Sequence, residues 1–176
     1  VLQSNEKSQR ALELVPVMSQ SAIVSILPVE SLSFKNISPF VSSCTEKVTS
    51  ALPESAVKAT YSSLFSGAID AVKASNRDIV AHTQLLAQVI SNCTIKSSKS
   101  LNRDTSKFVE LAVEGIVDST VAASLADGLE VKEPAVLIEA GVEGITVGLI
   151  LGLAEEPVDS AAKVITLASR TAAGSA

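Results

Sequence analysis

Apolar residues recur at helical spacing along most of the chain. The clearest case lies between residues 53 and 74, where one face of a helix would carry Val57, Tyr61, Leu64, Phe65, Ala68, Ile69 and Val72. No run alternates strictly between apolar and polar residues, as a half-buried strand does. The pattern therefore predicts an all-α protein.

Proline and glycine positions divide this pattern into a single bundle of about seven helices over residues 1–176. Ser38 followed by Pro39 is typical of a helix start, and Asp127-Gly128 is typical of a helix end. The predicted helices are 4–28 with a break at Pro16, then 39–51, 53–74, 77–91, 104–126, 134–154 and 157–172. Residues 92–103 are rich in Ser and Lys and predict a loop, which would join two halves, 1–95 and 104–176.

The C-terminal helices carry lines of small residues. The line in 134–154 is Ala140, Gly144, Gly148 and Gly152, and the line in 104–126 includes Ala112, Gly115 and Ser119. Each mid-helix glycine costs about 1 kcal/mol relative to alanine, so the three glycines sacrifice roughly 3 kcal/mol. Close approach of another backbone would offset this loss. We expect the line to face helix 104–126 or 157–172 of the same chain, or a second copy.

The two cysteines, Cys44 and Cys93, leave two alternatives open. One is a disulfide, which would stabilise by roughly 4 kcal/mol, and the other is a pair of buried thiols. The sequons at Asn36 and Asn92 are weak glycosylation candidates, since about one sequon is expected by chance in a chain this rich in Ser and Thr. Together with the cysteines they favour an exported, extracellular protein.

The charge is unevenly distributed. Residues 1–107 carry a net charge of +3 and residues 108–176 a net charge of −8, for a total of −5. The acidic total argues against nucleic acid, which basic surfaces bind. The imbalance fits either two differently solvated faces of one bundle or head-to-tail attraction between subunits.

Motifs for catalysis or cofactor binding are missing from the sequence. It has neither a phosphate-binding glycine loop nor a GxSxG nucleophile motif, and its single His82 cannot complete a Cys/His zinc site. Glu139 and Glu143 in the most apolar helix argue against a membrane span. We expect no enzyme, cofactor or metal, and no nucleic-acid or membrane partner.

The composition, with 26 Ser, 23 Ala and 3% aromatic residues, is similar to that of globular helical modules of silk-type secreted proteins. This likeness concerns composition and involves no shared motif. The sequence favours a structural, self-associating module whose partner is a second copy. The alternative is a carrier that holds a small apolar ligand between its helices.

Overall fold

Six helices make up the regular structure in a computed structural model of the protein, which describes residues 34–52, 54–74, 78–126 and 134–175. They are α1 (Phe34–Ala51), α2 (Glu54–Ala74), α3 (Ile79–Ser100), α4 (Thr105–Leu125), α5 (Pro134–Leu153) and α6 (Val158–Ser175). The all-α prediction is confirmed for these residues, which contain no strand. The helix predicted over 4–28 lies outside them.

The helices form two layers. Helix α3 packs most extensively on α5 and α1, and α4 packs on α2 and α6. Within each layer neighbouring helices run parallel. Gly144 lies against Ala87, Gly148 against Ser91 and Gly152 against Ile95, so α5 advances in step with α3. Consecutive helices are joined by short connections and therefore run antiparallel. Alternate helices lie in the same layer, and they run parallel to each other.

Two aspartates start the central helices. The Asp78 side chain accepts hydrogen bonds from the backbone N–H groups of Val80 and Ala81, and the Asp104 side chain accepts one from Lys107 N–H. Each carboxylate satisfies donors that the first turn leaves unpaired and carries a negative charge at the positive end of the helix. The start of α4 was predicted at Asp104, whereas that of α3 was predicted at Asn76.

The predicted loop over 92–103 is wrong, because α3 continues to Ser100. The hydroxyls bond within the helix: Thr94 Oγ1 donates to Ile90 O at 2.8 Å and Ser98 Oγ to Ile95 O at 3.0 Å. These hydroxyls therefore need no water, and most residues from Ser91 to Ser98 are buried. Only Leu101–Asp104 separate α3 from α4, so the two predicted halves are not linked by a flexible segment.

The short connection between α3 and α4 contains a residue whose backbone is in the left-handed conformation. Asn102 has φ 51°, a conformation that asparagine tolerates better than most residues. It allows Asn102 N–H to donate to Lys99 O and Arg103 N–H to donate to Ser98 O, which satisfies the last carbonyls of α3. Helix α1 also departs from prediction, since it begins at Phe34 and contains Pro39 inside it.

The core lies between the two layers. Its largest fully buried side chains include Tyr61, Phe65, Ile90, Phe108 and Ile116. Helix α3 is central, because buried residues point from it in nearly every direction. Helices α5 and α6 close one end of the layers, and that end carries the candidate site.

Candidate functional site: the exposed surface of α5 and α6

The glycine line of α5 lies directly on α3. A Cβ added at Gly144 would overlap Gln84 O and lie 2.8 Å from Ala87 Cβ. One added at Gly148 would overlap Gln88 O and lie 2.8 Å from Ser91 Cβ. Since real Cβ atoms do not approach this closely, glycine permits a helix contact that alanine would block. Ala140, the first residue of the line, is 4% exposed.

The second line of small residues makes a separate contact, between α4 and α2. A Cβ added at Gly115 would lie 2.9 Å from Lys58 O and 3.0 Å from Ser62 N. Ser119 Oγ lies 2.7 Å from Ser62 Oγ, and Ala112 is buried on the same helix. Two pairs of parallel helices are thus held by small residues, one pair in each layer.

The prediction of which helix faces the glycine line was wrong. Helices 104–126 and 157–172 were favoured, but the line faces α3, whose Ser-rich C-terminal half was predicted as a loop. The small side chains of Ala87 and Ser91 supply the matching surface on α3. Because the line is used within the chain, a different surface of α5 is left for other partners.

The face of α5 away from α3 carries several exposed apolar side chains, together with the exposed Glu139, Glu143 and Thr146. Val142 is 37% exposed, Val147 38% and Ile150 55%. Leu151, at the edge of this face, is 46% exposed. Burial of such side chains stabilises by about 25 cal/mol per Å² of apolar area, so their exposure is unfavourable unless something covers them.

An apolar groove between α5 and α6 adjoins this face. Its volume is about 270 Å³, and its described lining is Val142, Ile145, Thr146, Leu149, Ile165, Ala168, Ser169, Ala172 and Ala173. No charged side chain is among these residues. The groove arises because α5 and α6 touch each other far less than α5 touches α3. We call the groove together with Val147 and Ile150 the end surface.

Comparisons with protein-family models, curated proteins and solved structures found no match for this chain. The candidate site therefore rests on its geometry.

Two acidic side chains lie in the N-terminal half of α5. Glu143 accepts a hydrogen bond from Gln84 Nε2 at 3.1 Å, and Glu139 is exposed one turn earlier. At the other end of α5, Lys99 pairs with Glu156 at 2.7 Å and donates to Gly152 O. Glu139 and Glu143 are exposed on the same side of α5 as Val142 and Val147, whereas the groove lining itself has no charged side chain.

Helix α5 is also the one described helix that is long and apolar enough to cross a membrane, over Ala135–Leu153. In this structure its glycine face packs on α3, and nearly half of it is buried. A buried helix of a water-exposed bundle has the same composition, so its hydropathy gives only weak support for a membrane span.

The candidate disulfide between Cys44 and Cys93 is not formed. Cys44 and Cys93 are both thiols, Cys93 buried in α3 and Cys44 half-buried in α1. Burial raises the pKa of the Cys44 thiol, which lowers its reactivity because the thiolate is the reactive form. Of the two alternatives that the sequence left open, the structure therefore shows the two thiols.

The structure argues against glycosylation at the Asn92 sequon. Asn92 is 3% exposed in the middle of α3, and its Oδ1 has no hydrogen-bond partner. A glycan needs an exposed acceptor, and this asparagine is inaccessible in the folded chain because it is buried. Asn36 lies in the first turn of α1, where the position of its side chain is not described.

The acidic residues of α4 mainly form ion pairs. Lys58 of α2 lies 2.9 Å from Asp118 and 3.2 Å from Glu114, and Lys107 pairs with Glu110 at 2.8 Å. The hydrogen bonds to Asp118 and then Glu114 raise the pKa of Lys58. Among the described residues, no cluster of three or more His, Cys, Asp or Glu side chains is placed to hold a metal ion.

Sequence reasoning missed Val142, Val147 and Ile150. Helix α5 is apolar on almost every face, and such a helix is normally buried all round. The pattern therefore gave no sign that one of its faces is exposed. The only sequence signal was that Glu139 and Glu143 lie on the same side as this face.

Proposed function

We propose that the chain is a non-enzymatic, self-associating helical module, which binds copies of itself through the end surface. The observation that carries this proposal is the exposed fraction of Ile150, 55% in the last turn of the most apolar helix. Scattered exposed apolar side chains are ordinary, but a contiguous patch beside an apolar groove is typical of a protein interface.

The contrast with other outer faces supports the end surface as the interface. Apart from Pro39, the exposed positions of α1 whose burial is described are polar: Ser43, Glu46, Lys47 and Ser50. Those of α6 away from the groove include Asp159, Lys163, Thr166 and Arg170, with Val158 at the first position of the helix an apolar exception that is 82% exposed. Charged and hydroxylated faces remain favourably hydrated in a monomer, whereas the end surface gains free energy when it is covered.

The alternative, a carrier for a small apolar ligand, draws support from the same groove. Its volume of about 270 Å³ lies just below the range of about 300–1,000 Å³ that is usual for ligand pockets. The groove also opens onto the exposed face around Ile150, so a ligand in it would stay partly hydrated. Self-association covers both the groove and the exposed face, and we therefore favour it.

The test is analytical ultracentrifugation of the wild type, Ile150→Lys and Thr166→Lys over a wide concentration range. Ile150→Lys places a charge in the end surface, and Thr166→Lys places the same charge on an exposed position of α6 outside it. We expect the wild type and Thr166→Lys to associate with rising concentration and Ile150→Lys to stay monomeric. A monomeric wild type would overturn the proposal.

Native mass spectrometry separates the two functions. A wild-type monomer that retains a hydrophobic molecule, lost in Ile150→Lys, would establish the carrier. Association without a bound molecule supports the structural module. Export remains part of the proposal only through the sequon at Asn36, since no disulfide joins Cys44 to Cys93 and Asn92 is buried.

A further inference from the structure

We propose that acid strengthens the self-association, because Glu139 and Glu143 lie on the face of α5 that the contact between copies covers. This inference rests on the proposed function and specifies how the end surface is regulated. While the two carboxylates are charged they weaken the contact, and once they are protonated the apolar side chains beside them can be covered.

The two glutamates share one line of α5 with Ile150. Glu139, Glu143 and Ile150 are all exposed, and their spacings of four and seven residues keep them on one face of the helix. Glu143 also falls between Val142 and Val147 on this face. A partner that contacts both valines therefore covers the carboxylate of Glu143 as well.

Helix α3 provides Glu143 with a hydrogen bond but no ion pair. Gln84 Nε2 is the donor, at 3.1 Å from the carboxylate. The titratable residues at the start of α3 are Asp78 and His82, and His82 Nδ1 lies 2.6 Å from Asp78 O. The amide of Gln84 carries no charge, so it does not neutralise the carboxylate.

Helices α4 and α6 leave the two glutamates without an ion pair as well. The charged residues of α4 pair among themselves or with Lys58 of α2. On α6, Lys163 and Arg170 are exposed away from the groove. Across the part of the chain that the structure describes, no ion pair includes Glu139 or Glu143. In a single copy, these charges are therefore stabilised mainly by water.

Association disfavours the charged carboxylates whichever way two α5 helices meet. In an antiparallel contact, the glutamates of one copy lie against the apolar end around Ile150 of the other and lose water. In a parallel contact, they lie beside the same glutamates of the other copy and repel them. Both effects favour the protonated form. Residues 134–162 contain five acidic residues and no basic one, so α5 of a second copy supplies no opposite charge in either orientation.

Proton uptake and association are therefore coupled. Because the associated state binds protons more strongly than the separate copies do, the association constant rises as pH falls. A one-unit change in proton affinity at each of the four carboxyls of a pair gives a rise of roughly fivefold between about pH 7 and about pH 5.5. We expect a rise of at least this size.

Sedimentation equilibrium at both pH values tests this inference with two double variants of the full chain. Glu139→Gln/Glu143→Gln removes both charges at nearly the same shape, and the new amide can still accept the hydrogen bond from Gln84. Glu46→Gln/Asp70→Asn is the matched control, because it removes two charges from exposed positions of α1 and α2. We expect the first variant to associate more tightly than the wild type at pH 7 and to respond little to acid. The control should keep the pH dependence of the wild type.

The outcomes separate this inference from the proposed function. A wild type that stays monomeric at both pH values overturns both. A wild type that associates equally at both pH values overturns the inference alone. Equal behaviour of the two double variants overturns it as well, since total charge would then control association. Circular dichroism verifies the fold at each pH. Should acid disturb the wild-type fold, the comparison at pH 7 decides, because the inference requires Glu139→Gln/Glu143→Gln to associate more tightly than the control.

Discussion

Single polar residues inside the bundle show how a Ser- and Thr-rich chain builds a core. Tyr61 is fully buried, and its hydroxyl oxygen lies 3.2 Å from Thr94 Oγ1. Thr49 Oγ1 donates to Thr45 O at 2.7 Å, and Arg103 Nη2 donates to Thr49 O at 3.1 Å. Because buried polar groups are costly unless they are hydrogen-bonded, these contacts make a partly hydroxylated interior stable.

The ionisation of Tyr61 gives the first prediction. Burial raises the pKa of this phenol, so the native state keeps the proton at a pH where the unfolded state has lost it. The unfolded chain then binds fewer protons, and the free energy of unfolding falls as pH rises above about 10. As pH rises, the loss of helix and the ionisation of Tyr61 should therefore occur in a single transition.

Absorbance measures that ionisation directly, because Tyr61 is the only tyrosine and the chain has no tryptophan. We expect the tyrosinate signal to follow the loss of far-ultraviolet circular dichroism. In denaturant the same signal should titrate near pH 10. A native protein that shows a full tyrosinate signal while it remains helical would contradict the burial of Tyr61.

At the scale of elements, the contacts of α5 explain why its glycines are tolerated. Three glycines cost roughly 3 kcal/mol of helix propensity. In return, the backbone of α5 approaches the carbonyl groups of Gln84 and Gln88 more closely than any side chain would permit. Gly174 in α6 provides the contrast, because a Cβ added there would meet no atom within 4 Å.

This contrast predicts opposite effects of one substitution at two sites. Gly148→Ala should lower the free energy of unfolding by about 1–3 kcal/mol, because the new methyl group overlaps Gln88 O and forces the helices apart. Gly148→Leu should lower it further. Gly174→Ala should leave stability unchanged or raise it by up to about 1 kcal/mol.

Urea denaturation of the three variants measures these effects. If Gly148→Ala were as stable as Gly174→Ala, the contact between α5 and α3 would be looser than the structure shows. A loss of stability in both alanine variants would instead indicate that the α6 terminus is packed.

At the scale of the whole molecule, an apolar end surface accompanies a net charge of −5. The apolar surface would supply most of the binding free energy of self-association, whereas the like net charge of two copies opposes their encounter. These two contributions respond differently to salt, because salt screens charges but does not remove apolar contact.

The self-association of the wild type therefore gives a prediction with a definite sign. Because two copies carry the same net charge, salt should screen their repulsion, and the association constant should stay unchanged or rise with sodium chloride. Sedimentation equilibrium of the wild type at low and high sodium chloride measures it. An association constant that falls steeply with salt would indicate that ion pairs, and not the apolar end surface, hold the copies together.

Local patterns in the sequence determined the helical class and most helix positions. The apolar spacing in 53–74 predicts α2, and the starts near Asp104 and Pro134 follow from capping and proline chemistry, which act over one turn. The need for close packing at Gly144, Gly148 and Gly152 could also be predicted, because glycine propensity is a property of the residue itself.

Only the tertiary structure decided which surfaces those residues meet. Residues 92–100 continue α3 because surrounding helices cover them, although their composition favours a loop. The exposure of Val142 and Ile150 depends on α6 lying mainly against α4, which leaves one face of α5 without a neighbour. Spacing along one helix specifies which residues share a face, but burial of that face depends on contacts between residues far apart in the chain.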